Sequence, residues 1–234
     1  MKNRIFLTLL LTTLSSIANA QIATPSNYLD TVKAKLKAKW PNNRTINLVF
    51  HGHSVPAGYG DRHEVNTLTA YPQQLLVGLK QKYPYAVINV IVTAIGGENS
   101  ISGQERFAGQ VLNHQMDVLY IDYALNDRFS DLKQVRKAHE KMIEQALAKG
   151  IKVILVTPSP DQRLDIGAAD NPMLPYVAQL EELAGKYKIG LADPFTTFKK
   201  IAKATGIKTY MESVNHPNSK GHQVIANELL SFFN

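Results

Sequence analysis

Five short runs of β-branched and aromatic residues, each followed by a helix-length stretch, constrain the fold of this chain most. The runs are residues 46–50, 86–93, 117–123, 151–157 and 189–192. Between them the apolar spacing predicts helices over 70–82, 103–113, 132–149 and 175–187. Further helices are expected over 25–39, 195–205 and 219–232. In the first of these, Leu29, Val32, Leu36 and Trp40 are spaced for one buried face. The run 86–93 is almost unbroken in apolar residues, the composition of a strand covered on both faces of a parallel sheet. Strands that alternate with helices imply parallel pairing through right-handed crossovers. The fold class expected is therefore α/β: a three-layer α/β/α domain around a doubly wound, mainly parallel five-stranded sheet.

The chain has 234 residues, enough for one such domain. Its first 20 residues read differently. A basic start at Met1-Lys2-Asn3-Arg4 precedes a largely apolar stretch, and Ala18-Asn19-Ala20 places small residues where a signal peptidase cuts. The expectation is a cleaved leader over 1–20, a single domain over 21–234, and a protein exported to the periplasm or secreted. The apolar stretch is too short to span a bilayer, and residue 21 is Gln and not a lipid-accepting Cys, so no stable membrane anchoring is expected. Loss of Lys2 and Arg4 lowers the net charge from +7 to +5. The remaining lysines are spread among acidic residues, with no basic block or aromatic ladder for nucleic acid. With no cysteine there is no disulfide, thiolate metal site or Cys nucleophile.

Polar residues without a core role gather at four places. Ser54 follows the first strand, in Phe50-His51-Gly52-His53-Ser54-Val55-Pro56. Gly96-Gly97-Glu98-Asn99-Ser100 follows the second, Leu125-Asn126-Asp127 the third, and Asn215-His216-Pro217-Asn218 precedes the last helix. In a doubly wound sheet, loops at the carboxyl ends of strands meet at one crevice. Acyl transfer needs a hydroxyl nucleophile, a base for its proton and donors for the developing oxyanion. Ser54 and His216 meet the first two needs; the backbone of Ser54 and of a glycine turn, with an Asn amide, meet the third.

These four blocks, in this order, resemble those of the SGNH (GDSL-type) hydrolase family. Gly52-His53-Ser54 stands for its Gly-Asp-Ser, Gly97 for its oxyanion glycine, and Ala124-Leu125-Asn126-Asp127 for its Gly-x-Asn-Asp. Asn215-His216-Pro217-Asn218 stands for its last block, with Gly221-His222 following. The resemblance covers nearly the whole chain beyond the leader and implies a flavodoxin-like fold with an esterase activity that needs no cofactor. It implies Ser54 as nucleophile, His216 as general base, and Ser54, Gly97 and Asn126 as the oxyanion hole.

His53 and Ala124 depart from the family pattern, and so does Ser213, where the family's third triad member usually stands. Three arrangements are open for steadying His216: the Glu212 carboxylate one residue away, a backbone carbonyl in a Ser–His dyad, or Asp193 reaching in. Of these, Glu212 or the dyad is favoured. Substrate contacts are expected from His53, Tyr59, Glu98 and Asp127, with Arg106, Arg128 and Asp165 near the rim. Asp122, mid-strand, is expected to be structural. The His51-x-His53 pair with His63 lacks a completing ligand, so no metal is expected. The reaction expected is hydrolysis of a carboxylic ester, acetyl or short acyl, on a small-molecule or oligosaccharide substrate. Acyl transfer or glycoside hydrolysis on the same scaffold, or a carbohydrate-binding relative without activity, are the alternatives.

Overall fold

The computed structural model describes residues 21–62 and 64–234; the leader expected over 1–20, and His63, lie outside the described residues. The described residues open with two short helices, α1 (Pro25–Tyr28) and α2 (Asp30–Lys37), where the spacing predicts one. Leu29, fully buried, breaks the run at φ −101° and ψ 20°. Trp40 consequently falls beyond the helix end, 84 % exposed, and does not share the buried face of Val32 and Leu36.

Strand β1 (Thr45–Gly52) leads into a single helical turn, α3 (Ser54–Ala57), and then α4 (Tyr71–Lys82). β2 (Val87–Val92), α5 (Ser100–Arg106), β3 (Val118–Asp122) and a second single turn, α6 (Ala124–Asp127), follow. The remainder is α7 (Leu132–Ala148), β4 (Lys152–Val156), α8 (Leu174–Tyr187), β5 (Gly190–Ala192), α9 (Pro194–Thr205) and α10 (Ser219–Leu230). The helix expected over 103–113 starts at Ser100, because the Asn99 side chain accepts from the Ile101 and Ser102 N–H groups. It then loosens into a π turn over Phe107–Val111. Neither α3 nor α6 is expected from periodicity, since four residues are too few to show a helical period.

All five strands pair in parallel in the order β2-β1-β3-β4-β5, the flavodoxin-like order. Side chains alternate between two cores. Ile46, Leu48, Phe50, Val118, Tyr120, Ile154 and Val156 meet α2, α4, α9 and α10 on one face. Val49, Leu119, Ile121, Val153 and Leu155 meet α7, α8 and the turn at 107–111 on the other. β2 is not covered on both faces as its composition suggests: it is an edge strand, and Val87 is 47 % exposed. The order reverses between β1 and β3, which opens the crevice at their carboxyl ends.

Two buried histidines brace this end of the sheet as neutral rings. His222 Nδ1, on α10, accepts the Tyr71 N–H that opens α4, at 3.3 Å. His51 lies between Thr93 Oγ1 at 3.0 Å and Gly103 O at 3.1 Å. Burial lowers His222 to about 3; burial, then the nearby Arg106 guanidinium, lowers His51 to about 4. Unfolded, both titrate near 6.5, so below that pH the unfolded chain binds more protons and stability falls with pH. The loss runs from about pH 6.5 down to the folded values, at about 1.4 kcal/mol per pH unit for each ring. Thermal melts at pH 7 and pH 4.5 should therefore show a marked fall in Tm. His222→Asn keeps an acceptor but cannot titrate, and should flatten the dependence; an equal fall in both proteins would refute it.

Candidate active site

Ser54 is delivered by a sharp strand-to-helix turn. β1 ends level with β3, Gly52 pairing with Asp122, and Gly52 fits because a Cβ there would strike the Asp122 carbonyl and stand 2.9 Å from Pro56 Cγ. His53 then caps α3: its Nδ1 accepts the Val55 N–H at 3.3 Å. Gly58, at φ +91°, closes the turn. Ser54 is left 7 % exposed, with its Oγ 3.5 Å from His53 Nδ1.

His216 arrives on a tight loop before α10. Met211 and Pro217 pair across its base, and the Glu212 and Ser213 N–H groups both donate to the His216 carbonyl. This places His216 Nε2 at 2.9 Å from Ser54 Oγ and Ser213 Oγ at 3.0 Å from Nδ1. For Nε2 to accept the Ser54 hydroxyl proton, the ring hydrogen sits on Nδ1, and Nδ1–H donates to Ser213 Oγ. The exposed Glu212 turns toward Gly60, where an added Cβ would meet its Oε1 at 2.6 Å. Asp193 caps α9, accepting from Thr157 Oγ1 at 2.8 Å and Thr196 N at 3.1 Å. Ser213 is thus the side chain seated at the far ring nitrogen, and the sequence alone shows it merely as a missing carboxylate.

Facing this pair, Gly97 holds φ +80° in the loop after β2, a conformation that favours glycine. Asn126, on α6, donates from Nδ2 to the Glu98 carbonyl at 2.8 Å. Ser54, Tyr59, Gly96, Gly97, Asn126, Asn215 and His216 line one open pocket of about 380 Å³. The Tyr59 ring lies 6.4 Å from the His216 ring and abuts Gly96, where a Cβ would come within 2.8 Å of Tyr59 Cζ. Gly96 and Asn215, each next to a residue expected at the site, also line the pocket.

Of the four side chains expected to touch substrate, only Tyr59 lines this pocket. The other three lie beneath it. His53 is fully buried, its Nε2 3.4 Å from Asp122 Oδ1. Glu98 turns inward, because Arg106 Nε and Tyr123 Oη both donate to it, at 2.7 Å. Burial raises the Glu98 carboxyl, but these hydrogen bonds outweigh it and hold the group below its ordinary value. Asp127 is fully buried; its Oδ1 accepts the Ser100 N–H at 2.8 Å, and its Oδ2 lies 3.8 Å from His139 Nε2. Burial raises its pKa. These three residues form a polar floor beneath the loops that carry Ser54, Gly97 and Asn126.

Arg106 belongs to the same floor, also donating to the Thr93 carbonyl at 2.7 Å. Asp122 accepts from Tyr71 Oη at 3.0 Å. Arg128 donates to Asp161 and to the Leu125 carbonyl, while Asp165 Oδ1 caps the Gly167 N–H. His51 is committed to Thr93 and Gly103. Among the described residues no cluster of three or more His, Cys, Asp or Glu could hold a metal ion, and no described helix is long and apolar enough to cross a membrane.

A serine hydroxyl on an imidazole, in a pocket that a glycine and an Asn amide also line, at the carboxyl edge of a parallel sheet, is an arrangement that can support acyl transfer. The chain belongs to the GDSL-like lipase/acylhydrolase family, whose model matches residues 50–224. Among solved structures it is similar to a two-domain esterase active on acetylated mannans (20 % identity, TM-score 0.72). That match covers 92 % of this chain but only 54 % of the esterase, about half its length. It is also similar to an acetylxylan esterase from Geobacillus stearothermophilus: 20 % identity, TM-score 0.71, 81 % of this chain and 94 % of that one. A further acetyl xylan esterase matches at 19 % identity and TM-score 0.67, over 80 % of this chain and 98 % of its own. At such identities the likeness is one of fold. Comparison with curated proteins finds no match.

Proposed function

We propose that the protein is an exported carbohydrate deacylase that removes acetyl or another short acyl group by a Ser54–His216 mechanism. The observation that carries this reading is the 2.9 Å contact of Ser54 Oγ with His216 Nε2 inside the pocket that Gly97 and Asn126 also line. As Oγ bonds to the ester carbon, its proton passes to Nε2, and the carbonyl oxygen becomes an oxyanion. Ser54 N–H, Gly97 N–H and Asn126 Nδ2–H receive that charge. The carbon–oxygen bond to the sugar then breaks, and Nε2–H protonates the departing sugar oxygen. Water repeats the sequence on the acyl-serine, giving up its proton to Nε2 and releasing the carboxylic acid and free Ser54. The esters cleaved by the structural neighbours, on acetylated mannan and xylan, support a carbohydrate substrate. The basic, apolar and small-residue pattern of residues 1–20 supports export.

Glycoside hydrolysis by two flanking carboxylates finds less support, since no described residue lining the pocket is a carboxylate. The test is direct. The purified protein should release acetate from acetylated xylan or acetylated mannan and be labelled at Ser54 by a fluorophosphonate. Absence of both turnover and label would overturn the reading.

In this mechanism Ser213 positions the ring and accepts its Nδ1–H, but as a neutral group it offers the imidazolium little charge stabilisation. Ser213→Ala should lower kcat/KM on p-nitrophenyl acetate by about tenfold, the worth of one neutral hydrogen bond. Ser213→Asp sets a negative charge beside the ring, which favours its protonated form. The acidic limb of the pH–rate profile should then move to higher pH. An unmoved limb in Ser213→Asp, with full activity in Ser213→Ala, would show that Ser213 does not position the ring.

A further inference from the structure

A second groove lies beside the pocket, lined by Arg128, Phe129, Asp161, Arg163, Leu164 and Pro172, with a volume of about 440 Å³. The mechanism uses none of these residues. Phe129 is 76 % exposed. Isolated exposed apolar residues are ordinary, but this one is braced: the Arg128 guanidinium sits 4.2 Å from the centroid of its ring. Arg128 is in turn locked, 4 % exposed, on the fully buried Asp161. One side of the ring thus rests on a rigid guanidinium while most of its surface faces solvent.

Across the groove Arg163 commits Nε and Nη2 to Asp161, at 2.9 and 2.5 Å, and its side chain is 61 % exposed. Among the described residues Nη1 has no hydrogen bond. The lining therefore combines an apolar platform with a guanidinium edge that offers donors to a hydroxyl or carboxylate.

Both walls are tied to the catalytic loops. The Phe129 N–H donates to the carbonyl of Asn126, at 3.2 Å, and Ser130 Oγ receives Asn99 Nδ2 at 3.1 Å. On the other wall the Gln162 N–H donates to the Val214 carbonyl at 2.7 Å, and Gln162 Nε2 to the Ser213 carbonyl at 2.8 Å. A ligand in the groove is thus held by segments continuous with those that present Asn126 and His216. A pyranose ring presents an apolar C–H face and a hydroxyl rim, which match an aromatic platform with a guanidinium beside it.

We propose that this groove is a glycan subsite: while the ester sits at Ser54, a sugar ring of the same oligosaccharide packs on Phe129 and bonds to Arg163. The proposal rests on the carbohydrate deacylase reading and assigns the specificity for a glycan chain to a site outside the acyl pocket. p-Nitrophenyl acetate has no glycan and reports the acyl pocket alone, whereas acetylated xylotetraose and acetylated mannotetraose report both. In Phe129→Ala the ratio of kcat/KM on the preferred tetrasaccharide to that on p-nitrophenyl acetate should fall about tenfold, mainly through KM. Phe129→Trp should keep the ratio, because it keeps the platform. A ratio unchanged in Phe129→Ala would overturn the subsite and leave the esterase intact.

Binding separates the two readings if turnover is absent. Calorimetric titration of Ser54→Ala with the same tetrasaccharides should show affinity that Ser54→Ala/Phe129→Ala loses. Equal affinity in the two proteins, or no binding by either, would overturn the subsite. So would a concentration-dependent dimer abolished by Phe129→Ala, which would make the face a contact between copies of this chain.

Discussion

Ser54→Ala and His216→Ala should each lower kcat/KM on p-nitrophenyl acetate by on the order of 10⁴–10⁶, and the double variant should fall little further. The near-equality of the three variants is the sharper part of the expectation. A nucleophile and its base act on one proton, so removing either removes the same step. Ser54→Ala should fold normally, because the cap of α3 is His53 Nδ1 on the Val55 N–H and not the serine hydroxyl. A second imidazole does stand near: His53 Nδ1 is 3.5 Å from Ser54 Oγ. Its lone pair is already committed to the Val55 N–H, so it makes a poor substitute base. If His53 nevertheless took over, His216→Ala would retain more activity than Ser54→Ala, and His53→Asn in the His216→Ala background would remove the difference. Melting temperatures for all the variants keep loss of chemistry distinct from loss of fold. Activity of Ser54→Ala within tenfold of the parent would refute the mechanism.

The parts of this site that were legible in the sequence are those that depend on chain order. Ser54, Gly97 and Asn126 each follow a strand, and a parallel sheet carries every such loop to the same edge whatever the loop does in detail. His216 precedes the last helix, whose start is marked by Asn218 accepting the Gly221 N–H. What sequence does not reveal is which way a polar side chain turns once it arrives. His53, Glu98 and Asp127 all neighbour residues of the pocket, yet each turns inward, because Asp122, Arg106 and the Ser100 N–H wait there to pair with it. Those partners are distant in sequence and carry no periodic signal. Ser213 and Glu212 differ by one residue, and only the curl of the loop onto the His216 carbonyl decides which of them meets Nδ1. The same limit applies to the fold. The apolar run of β2 matches a central strand, but its place at the edge follows from the crossover order and not from its composition.

Asn126→Ala should lower kcat on p-nitrophenyl acetate by about 10²–10³ with little change in KM, the loss typical of one oxyanion donor. The ground-state carbonyl is a weak acceptor and the oxyanion a strong one, so the amide contributes mainly in the transition state. Its orientation is set by the chain itself: the Glu98 carbonyl can only accept, so the nitrogen of the Asn126 amide, and not its oxygen, turns toward that loop at 2.8 Å. An amide nitrogen has two hydrogens, and the second is available to the substrate. Asn126→Asp should be at least as damaging as Asn126→Ala, because it sets a negative charge against both the Glu98 carbonyl and the oxyanion. The Glu98 carbonyl is steadied in turn by the side chain of its own residue, pinned by Arg106 at 2.5 Å and Tyr123 at 2.7 Å. Glu98→Gln weakens that pin while leaving every donor in place. It should therefore lower kcat by less than Asn126→Ala, and combining the two changes should cost less than the product of their separate effects, since both act on one donor. Full additivity would separate Glu98 from the oxyanion hole. An Asn126→Ala variant with unchanged kcat and a raised KM would make Asn126 a ground-state contact instead.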